Sequence, residues 1–91
     1  MSMTLAEFHR RKLKLTKQLE AGLARAFNTE SLGVEIEPRR DPYSADYDLT
    51  IRFYNANPSP DYNENEVWGY LYERMWDWYP DLDPEIYEFS P

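Results

Sequence analysis

Fourteen residues constrain the fold of this chain most: Val67-Trp68-Gly69-Tyr70-Leu71-Tyr72-Glu73-Arg74-Met75-Trp76-Asp77-Trp78-Tyr79-Pro80. Val67, Leu71, Met75 and Trp78 recur at helical spacing, so one side of a helix here must be covered by another element. Trp68, Tyr72 and Tyr79 fall at the margins of that buried face. Pro80 closes the run, because proline cannot continue a helix. Asn63 stands where an N-cap is wanted, and the acids that follow it suit the positive end of the helix dipole. The spacing predicts a helix over 64–78.

Negative charge gathers in the same third of the chain. Residues 61–91 hold nine of the fifteen aromatics, and nine acids against Arg74 alone, a net of −8. Residues 1–30 carry six bases and three acids, a net of +3, and residues 31–91 a net of −10, which gives the overall −7. A net negative protein is repelled at long range by phosphate backbones, whereas acids mixed with aromatics suit a basic partner surface.

A second helix is written at the start. Thr4 and Glu7 match a capping box, with Met3 and Phe8 spaced as a hydrophobic staple. Leu5, Phe8, Leu15, Leu19, Leu23, Ala26 and Phe27 then cluster on one side, predicting a helix over about 5–28. Gly22 lies at the edge of that stripe and would let another element approach closely. The opposite side is basic: Arg10, Arg11, Lys14, Lys17 and Arg25. Lys12 falls within the stripe, where its stem can lie on apolar surface.

Two stretches alternate with the period of a strand. In Leu32–Glu37 the apolar side is Leu32, Val34 and Ile36, with Pro38 expected to end the strand. In Tyr47–Tyr54 it is Tyr47, Leu49, Ile51 and Phe53. Between them Arg39 and Arg40 are expected in a projecting loop with Tyr43 and with Asp41 and Asp46 as local partners. Paired arginines can clamp a phosphate or carboxylate bidentately. Asn55–Pro60 is rich in turn formers. Glu85–Phe89 alternates again, as a short third strand or an extended tail.

These elements predict one small α+β domain spanning 1–91. Its order is helix–strand–strand–helix with a possible C-terminal third strand, and both helices lie on one face of a small antiparallel sheet. The open sheet edges would allow an edge-paired homodimer. A chain of 91 residues buries roughly 60–65% of its unfolded surface, enough for one core and too little for a deep cleft with a lid. There is no cysteine, which excludes disulfides and thiolate metal sites and fits a reducing cytoplasm. No apolar run approaches the ~20 residues of a membrane span, so no membrane association is expected.

The residues offer little for catalysis, and the chain is expected not to be an enzyme. His9 is the one histidine, set beside bases on a helix, and the serines lack a nucleophile-elbow setting. Three scattered glycines cannot build a phosphate loop. Glu35 with Glu37, Asp46 with Asp48, and Asp81 with Asp83 and Glu85 are carboxylate sets of the kind that hold hard cations. None has the full spacing of a calcium loop, so no metal or cofactor is expected.

Two surfaces remain. One is a row on the second helix, Glu66, Tyr70, Glu73 and Asp77, flanked by Trp76. Aromatics are favoured at interface hot spots, and carboxylates complement a basic surface or imitate phosphate spacing. This predicts a protein-binding module for a basic partner such as a nuclease or another nucleic-acid-binding protein. By charge and size alone it is similar to small inhibitors carried by phages and mobile elements, anti-CRISPR proteins and DNA mimics among them, or to bacterial immunity proteins. No motif points to one of these families. The other surface is Arg10, Arg11, Lys14 and Lys17 with Arg39 and Arg40, which would serve a nucleic-acid-binding domain instead.

Overall fold

The structure, a computed structural model, describes residues 3–40, 42–43 and 46–90. Five elements follow in order: α1 (Leu5–Phe27), β1 (Leu32–Arg40), β2 (Tyr47–Asn55), α2 (Glu64–Trp78) and β3 (Glu85–Glu88). Both helices begin at the caps expected of them. The Thr4 hydroxyl accepts the Glu7 N–H at 3.2 Å and meets the Glu7 carboxylate at 3.2 Å. Asn63 accepts the Asn65 N–H at 3.0 Å. At the far end of α1, Asn28 takes the left-handed conformation (φ 51°), and its N–H and that of Thr29 both return to the Ala24 carbonyl. Asparagine tolerates that backbone better than other side chains do, so it can stop a helix without glycine.

The sheet is mixed, in the order β1-β2-β3. β1 and β2 pair antiparallel, with Val34 opposite Phe53 and Ile36 opposite Ile51. β3 pairs with β2 in parallel, Ile86 beside Ile51, where a wholly antiparallel sheet was expected. The reason is the connection: α2 spans the sheet between β2 and β3 and returns the chain to its starting end. Met3 continues the β3 side of β2, exchanging both backbone hydrogen bonds with Tyr47.

β1 does not end at Pro38 but runs to Arg40. Tyr47 spends its backbone bonds on Met3, and Phe53 accepts from Phe89. Odd-numbered residues of β2 therefore point their backbone groups away from β1. By the register, Val34, Ile36 and Pro38 then point theirs off the outer edge of β1. Proline at such a place removes no ladder bond.

One apolar cluster joins the elements: Phe8, Leu15, Leu19 and Leu23 from α1, Leu32, Val34 and Ile36 from β1, Leu49, Ile51 and Phe53 from β2, Val67, Leu71 and Met75 from α2, and Leu82 and Ile86. Both helices cover the same sheet face, α1 over β1 and α2 over β3. Trp78, expected on the buried face, sits instead in the last helical turn and is 40% exposed. The other sheet face carries Arg52 bonded to Glu35 at 2.9 Å and Glu37 at 2.5 Å, with Phe89 beneath the guanidinium.

Candidate partner-binding surface

The outward row expected on α2 is broken at Tyr70. Its ring lies in the seam between the helices, edge-on to Phe27 at 5.9 Å. A methyl group at Gly22 would collide with its hydroxyl, so the glycine of α1 is the seat of that ring. Arg74 lies over the same ring at 5.5 Å and bonds Asp77 at 3.0 Å. Glu66, Glu73 and Asp77 are exposed as expected.

Trp76 is exposed as expected, at 64%, but it belongs to a different row. Trp68, Tyr72 and Trp76 stand at i, i+4 and i+8 along the flank of α2 that faces away from α1, and all three are exposed. Trp68 and Tyr72 stack with centroids 5.1 Å apart. Past Tyr72 and Trp76 lies a groove whose far wall is the turn Pro80, Asp81, Leu82, Asp83 and Pro84. The backbone N–H of Asp83 donates to Asp48 at 3.0 Å, and its carbonyl accepts from Arg39, so the wall is tied to the sheet. The sequence carries the i, i+4, i+8 spacing in plain view. It does not say which flank of α2 would be covered by α1.

The same helix flanks close the sheet. The Glu20 carboxylate of α1 accepts the Val34 N–H at 3.2 Å on the outer edge of β1. The Trp68 indole N–H of α2 donates to the Ile86 carbonyl at 3.0 Å on the outer edge of β3. With Pro38 also on the β1 edge, neither Val34 nor Pro38 offers a free backbone N–H there to another strand.

Of the basic residues, Arg10, Lys14 and Lys17 lie exposed on α1, and none forms an ion pair among the described residues. Arg11 reaches Glu7 at 3.9 Å and lies 5.9 Å over the Tyr79 ring. Together with Lys14, Gln18, Trp78 and Tyr79 it lines a cleft between α1 and the end of α2. Arg39 and Arg40 do not project from a loop: both are in β1, and Arg39 is held by Asp48 at 3.8 Å and by the Asp83 carbonyl. Asp41, expected as their partner, lies outside the described residues. The carboxylate pair Glu35 and Glu37 is occupied by Arg52, which leaves it poorly suited to a cation. Among the described residues no group of three or more metal-ligating side chains is gathered, and no helix is long and apolar enough to cross a membrane.

At the start of α2, Tyr62 donates to the Glu88 carboxylate of β3. Burial first, then that bond and the nearby charges of Glu88 and Glu64, push its phenol well above the ordinary range. It is a structural tie between α2 and β3 and touches no groove of the aromatic row. Compared with protein-family models, curated proteins and solved structures, the chain has no significant match.

Proposed function

We propose that this is a small non-enzymatic binding protein that docks the outer flank of α2 on a basic protein surface. The observation that carries the reading is the exposed row Trp68, Tyr72 and Trp76, set among Glu73, Asp81 and Asp83. Large aromatics left in water side by side mark interaction sites, and they dominate binding energy where they occur. The surrounding carboxylates select a positively charged partner and speed encounter with it. A nuclease or other protein with a nucleic-acid channel is a partner of that kind, and the chain would then act as an inhibitor. Aromatic docking, rather than imitation of a phosphate row, is the better account, because Tyr70 interrupts the row of acids.

The test compares the wild-type chain with Trp76→Ala as bait in nuclease-treated native lysate. Basic proteins held by the wild type and lost by the variant are the expected result. Equal retention by both baits would overturn the reading.

A second reading rests on the cleft of Arg11, Lys14, Gln18, Trp78 and Tyr79. Bases interleaved with aromatics are what single-stranded nucleic acid requires. It predicts binding to a single-stranded oligonucleotide that weakens steeply with salt, and no binding at low salt removes it.

A further inference from the structure

We infer that the groove between Tyr72, Trp76 and the turn Pro80–Pro84 is a seat for one arginine side chain of the basic partner. This rests on the docking reading above and specifies what the outer flank of α2 receives.

The lining is the first reason. Tyr72 and Trp76 offer aromatic surface on one side, and Pro80, Leu82 and Pro84 offer rigid apolar surface on the other. Asp81 and Asp83 stand in the same wall. A guanidinium is flat, weakly hydrated and rich in donors. It can lie on an aromatic ring while its edge meets a carboxylate. An ammonium is more strongly hydrated and gains less from such walls. Among the described residues, no cation of the chain itself is paired with the Asp83 carboxylate. Arg39, the nearest candidate, instead bonds the Asp83 backbone and Asp48.

Charge points the same way. The segment 61–91 supplies nine acids and one base, and that base, Arg74, is turned to the α1 seam by Tyr70 and Asp77. The turn is also preformed. Asp83 is anchored to Asp48 and Arg39, and the Leu82 N–H returns to the Tyr79 carbonyl at 3.0 Å. Little ordering is left for the guest to impose.

The experiment titrates ¹⁵N-labelled protein with a glycine-spaced arginine peptide, its lysine counterpart and its citrulline counterpart. Citrulline keeps the shape of arginine and lacks the charge. The indole N–H signals of Trp68, Trp76 and Trp78 report position. The expected result is a shift centred on Trp76, with affinity in the order arginine, lysine, citrulline. Asp83→Asn keeps the backbone anchors and should weaken the arginine peptide on the order of tenfold. Trp76→Leu, read at the backbone amides of Leu82 and Asp83, should abolish the response while far-ultraviolet circular dichroism stays unchanged. Equal binding of arginine and citrulline peptides, a response centred on Trp78, or no effect of Asp83→Asn would overturn the arginine seat. If the Trp76-dependent retention of basic proteins survives in Asp83→Asn, the docking reading stands and the seat alone falls. If that retention is absent in the wild type, both fall.

Discussion

α1 and α2 bury comparable stripes and leave very different surfaces in water. α1 gives Phe8, Leu15, Leu19 and Leu23 to the core and shows the solvent Arg10, Lys14 and Lys17. α2 gives Val67, Leu71 and Met75 and shows Trp68, Tyr72 and Trp76. A helix needs only one apolar face to be held in a fold, and α1 stops there apart from Leu5 and Leu13, which are exposed singly and form no row. α2 carries a second apolar row that the core does not use. On the docking reading, that surplus, rather than the acidity of the segment, is what would carry the contact.

The contrast within α2 is sharpest at Leu71 and Trp76. Leu71 is fully buried, and Leu71→Ala should destabilise the protein by about 2–5 kcal/mol in urea unfolding. Trp76→Ala, although a larger deletion, should change stability by no more than about 0.5 kcal/mol. Comparable losses from the two would mean that Trp76 is core and the outer row is not a free surface.

The next effect tests whether each helix guards one edge of the sheet. Trp68→Phe keeps the ring and removes the donor to Ile86, and Glu20→Ala removes the acceptor of the Val34 N–H. Each should cost about 0.5–1.5 kcal/mol. Amide exchange at Val34 should quicken in Glu20→Ala and stay as it was in Trp68→Phe. Unaltered exchange at Val34 in both would show that the β1 edge is protected by something other than Glu20.

The smallest effect is spectroscopic and concerns Tyr62, which joins α2 to β3. Its phenol is raised in the folded chain, so the neutral form is the one favoured by folding. The stabilisation is whole below the ordinary phenol value of about 10 and is lost as pH rises above it. In an alkaline absorbance titration the wild type should show a phenol ionisation well above the ordinary range, and Tyr62→Phe should remove that late step. A titration identical in the variant would dissolve the tie to Glu88.

Much of this architecture was legible because period reports which side of an element is buried. Leu32, Val34 and Ile36, and likewise Leu49, Ile51 and Phe53, face inward as their alternation requires, and α2 begins at Asn63 and ends before Pro80. Period does not report what stands beside an element. Tyr70 and Trp68 flank the same buried face of α2, and only the position of α1 decides that the first is enclosed while the second stays open. Pro38 departs from expectation for a related reason: whether a proline ends a strand depends on which way its missing N–H would have pointed, and that follows from pairing. Strand direction in β3 is likewise a property of the connection and leaves no mark in the residues Glu85–Glu88.

Trp68 gives the molecule a further property. Its ring is the inner end of the exposed row, and its N–H holds the carbonyl of Ile86 in a strand of only four residues. Short edge strands open locally at little free-energy cost, far more often than the whole domain unfolds. Whatever immobilises the Trp68 ring must therefore also lengthen the lifetime of β3 in its closed state. The amides of Tyr87 and Phe89 become remote reporters of occupancy, slowed by a ligand that touches neither of them.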